Sequence, residues 1–214
     1  MKRAFVNYFI VVIAVVFCCS CGKKISSVNE FNSFINDAKN GLKISKSVNG
    51  VTLSVIYTPP EYLTLKEMES NNYKGKEKYD SLLANNKASA SFLMIFGPDE
   101  SKENKDDIMY KGLKNFKEYV ERAMTLNFDL EQLVTLNTGS NNYLPVLSSL
   151  ENTYGLSKDR KVNIVFSSIK GQKKLSEETK YDFVYEDETY DIGTLHFEFD
   201  KKEIEKNLPE IIFQ

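Results

Sequence analysis

The sequence predicts an α+β fold, in which a mainly antiparallel sheet carries two or three helices on one face. Three observations lead to this class. Asn49-Gly50 stands between two runs of alternating apolar and polar residues, further alternating segments fill the C-terminal third, and stretches with helical spacing lie between them. The connections are short and no regular βαβ alternation is present, which disfavours parallel pairing. A β-sandwich with inserted helices is the alternative architecture.

The first helix is predicted to begin after Ser27. Glu30 follows three residues later, which is the spacing of a capping box. The apolar residues around it recur at helical intervals: Val28, Phe31, Phe34, Ile35 and Ala38. Asn40-Gly41 supplies the stop signal, so this helix is predicted to end there.

A β-hairpin is predicted around Asn49-Gly50. Both central residues of a type I′ turn need φ > 0, and Asn and Gly adopt that conformation most easily. The second strand places alternate residues on one face: Val51, Leu53, Val55 and Tyr57. Thr58-Pro59-Pro60 ends this strand, because proline has no N–H to donate to a neighbouring strand.

Proline also suits the first turn of a helix, so a helix is predicted from Pro60 to about Met68. A short helix is predicted over residues 76–84. Residues 91–96 form a continuous apolar run that ends at Gly97-Pro98, which predicts a central strand buried on both faces.

A charged loop over residues 99–107 is predicted to lead into a long amphipathic helix from Ile108 to Met124. Its apolar residues share one broad face: Ile108, Leu113, Phe116, Tyr119, Val120, Ala123 and Met124. Residues 125–154 fit either a helix or strands, and both alternatives stay open.

Three strands are predicted in the C-terminal third. One face of each is apolar, with Val162, Ile164 and Phe166 on the first, Tyr181, Phe183 and Tyr185 on the second, and Leu195, Phe197 and Phe199 on the third. Residues 186–192 are predicted to link the last two strands as a hairpin loop, and residues 201–207 to form a terminal helix or turn. Residues 28–214 are assigned to a single globular domain.

The N-terminus combines a basic start with a short apolar run. Lys2 and Arg3 come first, Tyr8 to Cys19 is uninterrupted apolar sequence, and Ser20 then precedes Cys21. A transmembrane helix needs about 20 apolar residues, whereas the apolar region of a signal peptide needs only about 7–15. The pattern therefore favours an export signal.

Residues 18–21 resemble the lipobox of bacterial lipoproteins, although Cys18 stands where that family usually has an aliphatic residue. The resemblance implies that residues 1–20 are a lipoprotein signal peptide and that Cys21 is lipidated. It also implies a tether over residues 21–27. An uncleaved N-terminal membrane anchor and a plain secretory signal are the alternatives.

The residues after the cysteine bear on location. By the sorting logic of bacterial lipoproteins, Gly22 implies export to the outer membrane, and basic Lys23-Lys24 without an acidic surface-export tag implies a domain that faces the periplasm. The chain is also similar in general composition to uncharacterised lipoproteins of Bacteroidota. That resemblance carries no activity.

Composition argues against a nucleic-acid partner. The chain has 28 basic and 30 acidic residues, and loss of Lys2 and Arg3 leaves 26 against 30, a net charge of −4. Such a chain lacks the basic surface that nucleic-acid backbones require. The three cysteines all lie between residues 18 and 21, so after lipidation no disulfide can form and the fold depends on its core. The expected partners are the membrane, through lipid on Cys21, and an envelope protein.

The sequence predicts no enzyme, no cofactor and no metal site. His196 is the only histidine, and alternation places it beside Thr194 and Glu198 on a polar strand face without an evident relay partner. A typical zinc site needs three or four nitrogen or sulfur ligands, and the mature chain has no second histidine and no free thiol. The same lack excludes nucleophilic triads unless His196 itself serves. An acidic group could offer oxygen ligands to calcium, but a solvated hairpin tip is the simpler interpretation of Asp182, Glu186, Asp187, Glu188 and Asp191.

Tyr57 and Tyr62 are the candidate binding residues, because they flank a rigid proline corner and could hold a protein or a sugar. The alternative is a strand-to-helix corner whose tyrosines pack inward. The expected function is that of a non-catalytic, lipid-anchored envelope protein that acts through protein-protein contacts, as an anchor or subunit of an envelope assembly. The alternative function is extracytoplasmic binding of a glycan or peptide by a lipoprotein.

Overall fold

A computed structural model describes residues 23–99, 101, 106–139, 141–153, 156–187 and 189–213. It confirms the predicted α+β class, with five α-helices and antiparallel sheets of five and four strands in these residues. The predicted signal peptide, residues 1–20, and Cys21 lie outside the described residues. None of the helices within the described ranges is long and apolar enough to cross a membrane.

Five helices are present in the described residues, and the first two begin where the sequence predicted, after Ser27 and at Pro60. Their bounds are α1 Val28–Asn36, α2 Pro60–Ser70, α3 Lys76–Asn86, α4 Phe116–Met124 and α5 Lys201–Asn207. The predicted cap of α1 is confirmed, because the Ser27 hydroxyl accepts a hydrogen bond from the Glu30 N–H at 3.3 Å. The Glu30 carboxylate in turn accepts from the Ser26 N–H at 2.7 Å.

The strands are mostly short and antiparallel. Their bounds are β1 Lys24–Ile25, β2 Lys43–Val48, β3 Val51–Thr58, β4 Ser89–Pro98, β5 Val134–Asn137, β6 Asn142–Tyr143, β7 Pro145–Leu150, β8 Arg160–Ser167, β9 Lys180–Glu186, β10 Thr194–Asp200 and β11 Glu210–Ile211. The larger sheet has the order β2-β3-β4-β8-β7, and the smaller has the order β10-β9-β5-β6. The predicted antiparallel sheet is thus divided into two.

The two sheets pack face to face through aromatic side chains. Phe92 on β4 lies 5.2 Å from Phe183 on β9, between ring centroids, and Phe96 lies 5.2 Å from Tyr185. A buried apolar cluster runs through both sheets and includes α1. Residues 91–96 were predicted to form a central strand buried on both faces. β4 is central in its sheet, but its second face is only half-buried at Leu93 and Ile95.

The hairpin prediction is confirmed in its geometry. Val48 pairs with Val51, and the two residues between them have φ of 49° at Asn49 and 74° at Gly50. The turn also contacts other loops, because the Lys111 Nζ donates to the Asn49 carbonyl at 2.6 Å and the Asn49 amide donates to the Asp191 carbonyl. The turn therefore joins three parts of the chain at one end of the sheets.

Gly50→Val is expected to lower the free energy of unfolding by about 2 kcal/mol, because a β-branched residue is strained at positive φ. A Cβ at Gly50 would also lie 2.8 Å from the Lys111 Nζ, which would have to move. Urea unfolding of both proteins measures the effect. Gly50→Asn is the control, since Asn tolerates this conformation, and it should lose much less. Equal midpoints for Gly50→Val and the parent would contradict the turn assignment.

The predicted long helix is wrong over its first half. Residues 108–112 form turns, and α4 begins only at Phe116. Ile108 and Met109 are buried in these turns, and the carbonyls of both accept hydrogen bonds from Arg122. Residues 125–154, for which the sequence left helix and strands as alternatives, contain both. A π-helical turn at Thr125–Asp129 and a 3₁₀ turn at Leu130–Gln132 are followed by β5, β6 and β7.

The tether predicted over residues 21–27 contains a strand, β1, which begins at Lys24. β1 pairs in parallel with β11, with hydrogen bonds of 2.9 Å from the Glu210 N–H to the Lys23 carbonyl and from the Ile212 N–H to the Ile25 carbonyl. Ile25 is 2% exposed and belongs to the core. Burial of this one apolar side chain explains why a polar stretch is fixed to the domain.

Candidate functional site

The prediction that Tyr57 is an exposed binding residue is wrong. It is 1% exposed, and its ring lies 5.4 Å from the Phe92 ring, 5.7 Å from Tyr181 and 6.4 Å from Phe199. The alternation that placed Tyr57 on the face of Val55 already indicated the core. Burial raises its pKa well above the ordinary tyrosine value, with nearby Tyr181 and Glu61 adding to the increase.

Tyr62 also packs inward. It is half-buried on α2, and its ring meets the Phe31 ring edge-on at 5.6 Å between centroids. Its hydroxyl donates to the Asn32 side-chain oxygen at 3.4 Å. The two tyrosines therefore support a strand-to-helix corner, which is the alternative that the sequence left open, and they form no common surface.

An exposed apolar surface lies along α4 and the π-helical turn after it, and other exposed apolar side chains lie around β7 at Leu144, Val146 and Leu147. Phe116 is 77% exposed and Phe128 is 67% exposed, and Val120 and Met124 between them are exposed as well. These four residues, here called the apolar stripe, follow one another at intervals of four and so share one side of the helix. Contiguous apolar patches on a protein surface often mark sites of interaction, whereas apolar side chains that are exposed singly do not.

The adjacent side of the same helix packs against the core, which leaves the stripe facing outward. Tyr119 and Ala123 pack against the core, and Leu126 is buried. Asn115 caps the helix by accepting from the Glu118 N–H at 3.1 Å. The sequence gives both sides of α4 apolar residues, so periodicity alone did not separate the core side from the exposed one.

An aromatic stack continues from the stripe towards a cleft. Tyr119 lies between Tyr110, at 5.2 Å, and Phe116, at 5.8 Å, and the planes are within 18° and 15° of parallel. The cleft has a volume of about 650 Å³ and is lined by Asp107, Tyr110, Tyr119, Asn127, Leu150, Glu151, Asn152, Thr153 and Arg160. It combines aromatic rings with carboxylate, amide and guanidinium groups.

The charged groups of the cleft are already paired within the protein. Arg160 Nη2 lies 2.7 Å from Asp107 Oδ2, and the other oxygen of Asp107 accepts from the Met109 N–H at 2.8 Å. Glu151 accepts from the Asn163 amide at 3.1 Å. This arrangement can position a polar or aromatic ligand.

Arg122 holds the wall of this region in place. Its Nη1 donates to the carbonyls of Ile108 and Met109 at 3.0 Å and of Lys111 at 2.9 Å. Its guanidinium also lies 4.5 Å from the centre of the Tyr190 ring. Burial raises the pKa of Tyr190 to about 12, and the positive charge of Arg122 opposes part of that increase. Arg122 is buried, and its hydrogen bonds position the turn that carries Tyr110.

The histidine face is confirmed, but the expected isolation of His196 is wrong. His196 is exposed on β10 together with Thr194 and Glu198. Its Nδ1 lies 2.8 Å from Asp182 Oδ2 on the neighbouring β9. Asp182 is not directly opposite His196 but one pair diagonal to it, a neighbour that strand pattern alone did not indicate.

In the acidic hairpin tip, a carboxylate accepts hydrogen bonds from backbone N–H groups of the same loop. The Asp187 carboxylate accepts from the N–H groups of Thr189, Tyr190 and Ile192 at 2.8–3.0 Å. Glu188 lies outside the described residues. Among the residues that are described, no three His, Cys, Asp or Glu side chains are grouped so that they could hold a metal ion.

Glu61→Gln is expected to raise the free energy of unfolding at neutral pH. Burial raises the pKa of Glu61, and its own backbone N–H and Lys87, 4.0 Å away, offset only part of the increase. A carboxyl with a higher pKa in the folded state favours folding below its unfolded pKa, and this contribution is lost as the pH rises through the folded pKa. The amide avoids that loss, so its advantage should disappear near about pH 4.

Urea unfolding at neutral pH and at pH 4 measures this difference. Glu77→Gln is the matched control. Glu77 lies in the first turn of α3, as Glu61 lies in the first turn of α2, but its carboxylate is exposed. The two substitutions remove the same favourable interaction with a helix N-terminus. If Glu61→Gln is no more stabilising than Glu77→Gln at neutral pH, burial of the carboxylate is not the cause.

Comparisons with known proteins assign no family to this chain. A scan against protein-family models finds no match, and a search of curated proteins finds none. Among solved structures, a protein of unknown function from Burkholderia pseudomallei K96243 is similar, with 10% identity and a TM-score of 0.36 over 83% of this chain and 87% of that one. A likeness this distant assigns neither family nor function.

Proposed function

We propose that this chain is a non-catalytic, lipid-anchored envelope protein that acts through contacts with another envelope protein. The single observation that carries the proposal is the apolar stripe. Four large apolar side chains on one side of α4 and the following turn face solvent, although the same helix already uses its other side for the core. Membrane attachment is proposed through lipid on Cys21, from the lipoprotein-like signal.

The geometry favours an amphipathic helix of the partner as the occupant of the stripe. Apolar residues that recur about once per turn along a helix are similar to the anchors by which one helix recognises another. The stripe is flanked by the exposed pair Lys117 and Glu121, 3.4 Å apart, so charges of both signs border the apolar centre. This is the layout of a small interface with an apolar core and a polar rim.

Site-specific crosslinking in living cells tests the partner. A photoreactive phenylalanine analogue at position 116 or 128 should crosslink to the same envelope protein, and Val120→Asp should abolish both products. The matched control is the analogue at Ile169, which is 65% exposed on a different element, and it should give no such product. Absence of crosslinks at both stripe positions, or crosslinks only to a second copy of this chain, would overturn the proposal.

The membrane attachment is tested separately. Cys21→Ala is expected to release the protein from the membrane fraction or to leave it as uncleaved precursor, because the thiol that carries the lipid is gone. Metabolic labelling with a fatty acid measures the lipid directly. Label incorporated equally into parent and variant would exclude Cys21 as the attachment site.

A second candidate function is binding of a neutral glycan or a peptide in the cleft. The observation in its favour is that Tyr110, which is 61% exposed and stacks on Tyr119, lies beside amide and carboxylate groups. Aromatic faces combined with a few polar groups are typical of ligand sites. A glycan array and a peptide library with the parent and with Tyr110→Ala test this. The candidate is supported by a ligand that the variant no longer binds, and it is excluded if neither screen yields a ligand that depends on Tyr110.

A further inference from the structure

The distance between the proposed lipid and the folded domain is short. Three residue steps separate Cys21 from Lys24, where β1 begins, and they can span at most about 11 Å. The polar headgroup region of each leaflet is itself about 5–8 Å thick. A domain fixed at Lys24 therefore starts at the headgroup layer and cannot move far from it.

β1 lies at the end of the larger sheet from which α2 and α3 extend. The Val28 N–H, just after β1, donates to Glu69 Oε1 near the end of α2 at 2.7 Å. The helices α2 and α3 connect the Thr58 end of β3 to the beginning of β4, so they extend from that end of the larger sheet. Phe213, beyond β11, packs edge-on against Tyr79 of α3 at 5.0 Å.

The stripe and the cleft belong to the opposite end of the same sheet. Lys111, which follows Tyr110 of the cleft, contacts the Asn49 turn that begins β3. Arg160 of the cleft pairs with Phe96 at the far end of β4. The eight residues of β3 separate the two ends by about 23 Å, at about 3.3 Å for each residue.

The surface around β1 has the chemistry of a headgroup contact. It exposes Tyr73 and Ile212 together with Lys23, Lys24 and Lys74, and this set is here called the anchor face. Two neighbouring carboxylates contact the protein: Glu69 accepts from the Val28 N–H, and Glu210 lies 3.6 Å from Lys24. Because Lys24 is paired with Glu210, Lys23 and Lys74 supply the positive charge of this face. Tyrosine and lysine side chains are suited to the boundary between lipid and water, where phosphates are anionic.

We infer that the anchor face lies against the lipid headgroups and that the end of the sheet with the stripe and the cleft points away from the membrane. The inference rests on the proposed lipidation of Cys21. Because β1 is held in the domain by β11, the lipid fixes the orientation of the domain as well as its location. The stripe is thereby presented to proteins in the aqueous space beyond the membrane surface.

Fluorescence quenching in vesicles tests the orientation. The mature chain has no thiol other than Cys21, so a single new cysteine can be labelled selectively. The lipidated protein would carry the dye at Lys74→Cys in the anchor face or at Lys114→Cys, an exposed lysine near the opposite end. The vesicles contain phosphatidylethanolamine and phosphatidylglycerol, with part of the lipid carrying a nitroxide on its headgroup. Fluorescence should be lost at position 74 and retained at position 114.

Two further measurements separate the possible failures. Flotation of the labelled protein with the vesicles shows whether the lipid anchor exists, and a protein that does not float overturns both the anchor and the orientation. A protein that floats but is quenched equally at both positions overturns the orientation alone. A flexible insertion of twenty Gly and Ser residues after Gly22 should restore the fluorescence at position 74, since a long linker frees the domain. Quenching that survives the insertion contradicts the tether argument.

Discussion

Tyr57→Ala is expected to lower the free energy of unfolding by about 3–5 kcal/mol, the range for removing a large aromatic side chain from a core. Tyr57 lies between the two sheets, where its ring contacts Phe92 from one sheet and Tyr181 and Phe199 from the other. Its removal leaves a cavity that neither sheet can close by itself. For a domain of this size the change is a large part of the whole stability.

Chemical denaturation with an intrinsic fluorescence readout measures this loss. Tyr57→Phe keeps the ring and is the matched control, and it should cost less than about 1.5 kcal/mol. Tyr62→Ala should cost less than Tyr57→Ala, because Tyr62 is only half-buried. A stable, folded Tyr57→Ala protein that has lost a partner or ligand would contradict the buried position and restore Tyr57 as a binding residue.

Arg122→Met is expected to destabilise the protein by about 3–5 kcal/mol, because three buried carbonyls lose their donor at once. Methionine fills a similar volume, so the cost arises from the hydrogen bonds and from the lost contact with the Tyr190 ring. The turn that carries Tyr110 should also loosen, and hydrogen exchange at residues 108–111 should accelerate. Unfolding and exchange measurements on the same samples check both effects.

Two controls define what Arg122 does. Arg122→Lys keeps the charge and part of the hydrogen bonding, so its loss should be intermediate. Lys117→Met changes an exposed basic residue on the same helix and should shift the free energy of unfolding by less than about 0.5 kcal/mol. An Arg122→Met protein as stable as Lys117→Met would show that water replaces the three hydrogen bonds.

The elements that could be predicted are those whose signal is local. Asn49-Gly50 identified its hairpin because only few residues adopt φ > 0 at both turn positions. Alternation identified β9 and β10, and the register of Thr194 with Glu186 agrees with the predicted loop between them. By contrast, β5 has four residues and pairs with β9, far along the chain, so its local pattern was ambiguous.

The candidate site was less predictable, for a related reason. Periodicity shows that a residue lies on an apolar face, but it does not say whether that face meets the core or a partner. Phe116 and Tyr119 carry similar signals in the sequence, and only tertiary packing makes one exposed and the other half-buried. Tyr57 was the opposite case, since its alternation with Val55 favoured the core and the proline corner drew attention to its surroundings instead.

The pairing of β1 with β11 also sets an order of events in folding. Lys24 pairs with Glu210, so the two partners are separated by nearly the whole chain, whereas the hairpin of β2 and β3 needs only neighbouring residues. Contacts between distant residues carry a larger loop-closure entropy and form late. In a chain that emerges N-terminus first, β1 stays unpaired until the last segment is available. Under the lipidation that we propose for Cys21, the acylation would take place on a chain whose β1 is still free, and the later pairing with β11 would draw the lipid towards the domain.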